Sequence, residues 1–186
     1  MSRTQNIIPS ELTEGLQAIG VYPTQEEIDL FYHRYDTDRS HALSFREIEK
    51  AFLPHDLYYC SMVQRRTQTG KVGLHRRDDV FHPDTAVEHR NMWRTFFKVE
   101  AQAEQSRQRL HRNPHFNLYD AFNTLDLNSR REFGQTELKR LLSSRGFYLS
   151  EKECALIVLK CDKDADSTVD FNEFREEFTP RAAIKI

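Results

Sequence analysis

The chain has 186 residues, a formal net charge of −2, 38% apolar residues and thirteen phenylalanines, enough to fill one large core or two small ones. It holds no run of eighteen apolar residues and no secretory leader pattern, which excludes a transmembrane segment and sets the expectation of a soluble, cytoplasmic protein. Its three cysteines, Cys60, Cys154 and Cys161, are odd in number and lack metal-site spacing.

In chain order, the first periodic element is a helix around Leu12–Ile19 that ends at Gly20. Thr24 with Glu27 then forms a capping box that starts a second helix. That helix runs into Asp36–Glu47, twelve residues with oxygen donors at positions 1, 3, 5, 9 and 12: Asp36, Asp38, Ser40, Ser44 and Glu47, with the Ala42 carbonyl at position 7. A hard divalent cation such as Ca2+ takes six to eight oxygens at about 2.3–2.6 Å, and a coiled loop with alternating inward side chains is the geometry that supplies them. Only three of these donors are carboxylates, and His41 stands at the turn position that normally holds glycine, so this loop is expected to bind the more weakly. Leu43 at position 8 is the apolar residue needed for a short β-bridge to a partner loop.

Counting back from Asp36 puts position 1 of that partner just ahead of Met1, with Ile7 at position 8 and Glu11 at position 12. The first segment is therefore expected to be the back half of a helix-loop-helix unit. A naturally truncated hand, an incomplete sequence and a partner chain supplying the missing helix all remain open.

Residues 57–83 form a linker, basic over Ser61–Pro83 with Arg65, Arg66, Lys71, His75, Arg76 and Arg77. Ser61–Pro83 reads as a loop or extended segment and foremost as a solvated linker; the alternative is contact with an acidic surface such as a tubulin tail or an anionic membrane, and the stretch lacks the interleaved aromatics of a nucleic-acid site. Residues 84–112 form a long helix with no internal Gly or Pro; Trp93, Phe96, Phe97 and Val99 gather in its first half, and its second half is mostly charged. The aromatic group is expected to dock on one of the chain's own lobes, the alternative being a partner protein. His111 and His115 are separated by Pro114, which breaks the helical alignment a zinc pair would need.

The last third repeats the first. Sliding the chain by 126 residues aligns Glu11–Pro54 with Glu137–Pro180 without a gap, pairing Gly20 with Gly146, Tyr22 with Tyr148, Phe45 with Phe171 and Phe52 with Phe178. Ser150 and Glu153 cap the helix that enters Asp162–Glu173, where the ligands would be Asp162, Asp164, Asp166, the Thr168 carbonyl, Asp170 directly or through water, and a bidentate Glu173. Five carboxylates this close repel one another unless a cation joins them. Val169 takes the β-bridge position, and Phe133 of Asp126–Glu137 is its partner. Arg130 and Arg131 occupy positions 5 and 6 of Asp126–Glu137, so that loop is expected to pair without binding an ion. Cys154 and Cys161 interleave with Leu156, Ile157 and Leu159 and are expected to be buried thiols.

The loops, the repeat and the capped entering helices resemble the EF-hand superfamily, calmodulin-like proteins included, over about 11–54 and 116–180. The resemblance implies an all-α fold of helix-loop-helix units in two lobes: residues 1–56, then linker 57–83 and helix 84–112, then residues 113–182. The tail Phe52–Asp56 and the lead-in Phe116–Phe122 are similar to calmodulin-related proteins of ciliary and flagellar axonemes, which implies a cytoskeletal place and partners such as tubulin or axonemal coiled-coil proteins. With no phosphate loop, nucleophile elbow or metal-hydrolase helix, the expected function is non-catalytic: a calcium-binding interaction subunit. The alternative is a calmodulin-like sensor that exposes an apolar groove to a target helix. Beyond Met1 the chain has only Met62 and Met92, fewer methionines than an adaptable groove would use.

Overall fold

A computed structural model describes residues 6–54, 56–66 and 81–182. The basic residues Lys71, His75, Arg76 and Arg77 lie outside the described residues. The chain divides into two compact units, one of residues 1–105 with 181–186 and one of residues 106–180.

The first unit contains β1 (Asn6–Ile7), α1 (Pro9–Ala18), α2 (Gln25–Tyr35), β2 (Leu43–Ser44), α3 (Phe45–Phe52) and α4 (Leu57–Gln64). The long helix α5 spans Pro83–His111. Its part through Gln105 belongs to the first unit and its last residues to the second. The second unit continues with α6 (Leu118–Leu125), β3 (Glu132–Phe133), α7 (Gln135–Ser144), α8 (Glu151–Cys161), β4 (Val169–Asp170) and α9 (Phe171–Phe178). The architecture is all-α apart from two two-stranded bridges, as the sequence implies. Among the described residues no helix is long and apolar enough to cross a membrane.

The local sequence explains each boundary. Gly20 and Gly146 take φ values of 81° and 85°, which a residue with a Cβ adopts only at a cost, and each ends its helix with the following N–H folded back: Val21 N–H donates to Leu16 O and Phe147 N–H to Leu142 O. Thr24 Oγ1 accepts from Glu27 N–H while Glu27 Oε2 accepts from Thr24 N–H, and Ser150 with Glu153 repeats the pattern. The bridges pair antiparallel, with Ile7 opposite Leu43 and Phe133 opposite Val169. Leu43 and Val169 are fully buried, so each bridge ties two loops together at the floor of a core.

The core of the first unit joins Leu12, Leu16, Val21, Ile28, Phe31, Tyr32 and Leu43 to Trp93 and Phe97 of α5. Phe31 lies 5.2 Å from Trp93 and 6.0 Å from Phe97 between ring centroids, and Phe52 lies 4.9 Å from Trp93. The aromatic half of α5 is thus docked on the chain's own first unit. The indole N–H of Trp93 donates to His89 Nε2, and burial pushes the His89 pKa down, which keeps that imidazole a neutral acceptor. In the second unit Phe122, Leu125, Phe133, Leu138, Cys154, Val158, Cys161, Val169 and Phe174 form the core, with both cysteines buried among apolar neighbours.

One expectation needs correction. Ser61–Gln64, the start of the stretch read as a loop, instead belong to α4 (Leu57–Gln64), begun by Asp56 Oδ1 accepting from Tyr58 and Tyr59 N–H. The charged second half of α5 is not simply a solvated face. Glu104 is 2% exposed and accepts from the N–H groups of Arg181 and Ala182, while Arg181 Nη1 reaches Glu100 Oε1 at 3.1 Å and Arg34 Nη1 reaches Glu100 Oε2 at 3.4 Å. In the second unit Arg107 is equally enclosed, its Nε donating to Glu177 O at 2.8 Å and its Nη2 to Glu177 Oε1 at 3.3 Å. Buried charges of this kind are tolerated because each finds an opposite charge or several donors.

Candidate metal centre

Three loops share one backbone path. Positions 4 and 6 are left-handed in each: Arg39 and His41 at φ 57° and 60°, Ser129 and Arg131 at 54° and 68°, Ala165 and Ser167 at 65° and 73°. The loop 162–173 therefore also lacks the turn glycine, a substitution that the ligand pattern conceals. Six residues with a Cβ held at positive φ store strain of order 1 kcal/mol each, which the surrounding loops must over-determine.

In loop 162–173 the carboxylates of Asp162, Asp164 and Asp166 converge with ligand atoms within 4.8 Å of one another. Asp162 also supports the loop's own backbone, its Oδ1 accepting from Ala165 N–H and its Oδ2 from Ser167 N–H. A hydrogen bond from Asp166 N–H favours the Asp164 carboxylate, but partial desolvation and the charges of Asp166, Glu173 and Asp162 outweigh it and raise its pKa. The Asp166 pKa is held down by the Thr168 O–H and N–H, which donate to Oδ1. Asp170 caps α9 by accepting from Glu173 N–H. Glu173 accepts from Lys163 N–H at Oε1 and from Asp170 N–H at Oε2, so it braces the first and last thirds of the loop.

Loop 36–47 brings Asp36, Asp38 and Glu47 equally close. Asp36 accepts from Ser40 and His41 N–H, and Ser40 Oγ donates to the Ala42 carbonyl at 2.9 Å. Hydrogen bonds from the Ser40 side chain and N–H lower the Asp38 pKa. Burial alone would raise that of Glu47, yet donors from Ser44 and Thr37 prevail and hold it down to about 2. Ser44 occupies its station as the N-cap of α3, with its hydroxyl 2.8 Å from Glu47 Oε2.

Loop 126–137 differs. Asp126 accepts from Arg130 and Arg131 N–H, and Asn128 Nδ2 donates to Glu137 Oε1 at 2.8 Å, an internally closed loop with only two carboxylates at its ligand stations. Among the described residues, the clusters able to hold an ion are the two acidic ones in loops 36–47 and 162–173. His111 instead has its Nε2 3.1 Å from Phe178 O. An all-oxygen donor set on a coiled loop suits calcium rather than the thiolate- and imidazole-seeking metals.

Residues 116–179 match the EF-hand domain pair family. Over that stretch the chain has the EF-hand fold. The chain is also similar to two curated proteins over about a third of its length. One is the probable calcium-binding protein CML25 of Arabidopsis thaliana, 39% identical over 59 residues, covering 32% of each chain. The other is the mitochondrial adenyl nucleotide antiporter SLC25A24 of Mus musculus, 38% identical over 58 residues, 31% of this chain and 12% of the antiporter. This chain thus spans about a third or less of either relative.

Proposed function

We propose that this chain is a non-catalytic, calmodulin-like calcium-binding protein in which Asp162, Asp164, Asp166, Asp170, Glu173 and the Thr168 carbonyl hold the tighter ion. Asp36, Asp38, Ser40, Ser44, Glu47 and the Ala42 carbonyl form a weaker site, and the EF-hand loop 126–137 serves as the structural mate of loop 162–173. The observation that carries the reading is the convergence of Asp162, Asp164 and Asp166, whose mutual repulsion raises the Asp164 pKa and which a divalent cation would relieve. Calorimetric titration with calcium tests it. Asp162→Ala should remove the tighter heat and Asp36→Ala the weaker one; an unchanged isotherm for Asp162→Ala overturns the assignment.

The surface serves a protein assembly in the cytoplasm, and the cytoskeletal reading is supported by the likeness of Phe52–Asp56 and Phe116–Phe122 to axonemal calmodulin relatives. Imaging a tagged copy against an axonemal marker checks this, and a diffuse signal would oppose it. A sensor role is favoured by one observation: Phe147, Leu156 and Ile157 of the second unit are exposed, although their counterparts Val21, Leu30 and Phe31 are buried. Dye-accessible apolar surface that stays constant with and without calcium would rule out switching.

A further inference from the structure

Two histidines of α5 face corresponding places in the two units. In the first unit the His89 ring lies 6.2 Å from that of Phe52, and in the second His111 Nε2 lies 3.1 Å from the Phe178 carbonyl oxygen; the repeat pairs Phe52 with Phe178. Their hydrogen-bond roles are opposite. The indole of Trp93 is a donor only, so His89 Nε2 accepts from it at 3.1 Å and the proton of the neutral imidazole sits on Nδ1. A carbonyl oxygen is an acceptor only, so His111 Nε2 carries the proton that it donates to Phe178.

An added proton therefore acts on one bond and spares the other. An imidazolium has an N–H at both ring nitrogens, so no orientation of a charged His89 accepts from the indole, whereas a charged His111 still donates. Nothing around His89 favours the charge. The rings of Phe52, Phe81 and Trp93 stand 6.2, 5.1 and 6.3 Å from it. The cleft beside it is lined by Gln17, Ala18 and Ile19 from the end of α1, by Tyr22 after the Gly20 turn, and by Arg90 next to it on α5. Tyr22 and Arg90 are the other titratable groups of that lining, and among the described residues no carboxylate belongs to it. Burial is the cause of the lowered His89 pKa, with no part from Glu49 and Lys50 of α3 or from Glu88 and Arg90 beside it. The indole is 5% exposed and packs on Phe31, Phe52 and Phe97, so an N–H that loses its acceptor is left unpaired within the core.

We infer that His89 is an acid-sensitive latch on the first unit. Neutral, it holds Trp93 among Phe31, Phe52 and Phe97; protonated, it releases the indole and loosens α5 there, while the bond from His111 to Phe178 in the second unit stays closed. Because the folded-state pKa lies below the ordinary 6.5, the stability that neutral His89 contributes is complete above pH 6.5 and is lost as the pH falls through the folded value. The aromatic faces that the indole covers become available on the acid side.

The sole tryptophan makes the test direct, since the full 186-residue chain gives one indole N–H resonance. That resonance and the ring protons of His89 and His111 are followed by NMR from about pH 7.5 to about pH 5, a range in which Glu47 stays ionised. His89 should titrate with a midpoint below 6.5, and the indole signal should move with the same midpoint while its protection from solvent exchange falls at least about tenfold. His89→Gln keeps an acceptor oxygen that does not titrate and should hold the indole signal fixed; His111→Gln should leave the Trp93 titration as it is. If His89→Gln fails to fold, the coincidence of the two midpoints in the unaltered chain decides. An indole signal that stays fixed while His89 titrates, one that moves equally in His89→Gln, or a fall in exchange protection at Phe178 over the same range would each overturn the inference.

Discussion

At the sixth position of each loop, His41, Arg131 and Ser167 all adopt the conformation for which glycine is the unstrained choice. His41→Gly and Ser167→Gly should each stabilise the metal-free chain by about 0.5 kcal/mol in urea denaturation, the relieved strain less the added freedom of the unfolded chain. The strain was legible at His41 and Arg131, where a bulky or charged residue draws the eye. At Ser167 it was hidden, because a small polar residue looks at home among ligands. Glu47 carries a pH dependence. Its pKa falls from an ordinary 4.5 to about 2 on folding, so its stabilising share is complete above about pH 4.5 and is lost as the pH drops through about 2. The sole tryptophan reports on the same unit, and Trp93 fluorescence of the metal-free chain should shift over that acid range. Glu47→Gln, which can no longer accept at both oxygens, should flatten that shift.

At the scale of elements, the helix-loop-helix units were readable because ligand spacing, glycine stops and capping boxes all agree on the same boundaries. The docking of α5 was readable as well, since four apolar residues gathered on a mostly polar helix demand cover. Phe97→Ala should cost about 3–5 kcal/mol in a urea transition followed at Trp93, whereas Val99→Ala on the same helix, at an exposed position, should change it by about 0.5 kcal/mol or less. Helix α4 escaped notice because a run such as Leu57–Gln64 is too short to show a period, and its start depends on the single cap at Asp56. The buried acids and arginines of α5 escaped for another reason. Glu104 and Arg107 look like solvated helix charges until their distant partners, Arg181 and Glu177, are known.

For the molecule as a whole, calcium held in loop 162–173 should stabilise the second unit by mass action, about 2.7 kcal/mol at one hundred times the dissociation constant. Thermal unfolding of Asp162→Ala should lose that increment. Removing residues 181–186 takes away the Arg181 and Ala182 N–H groups that Glu104 accepts from, and the Trp93 transition should drop by about 1–3 kcal/mol. Because residues 106–180 are interposed between the two pieces of the first unit, Glu104 and Arg181 meet across 77 positions of chain. That span is a short tether when the intervening unit is folded and a long, floppy one when it is not, and ring-closure entropy grows with its slack. An ion captured in loop 162–173 would thereby raise the effective concentration of the tail at its buried carboxylate, by connectivity alone.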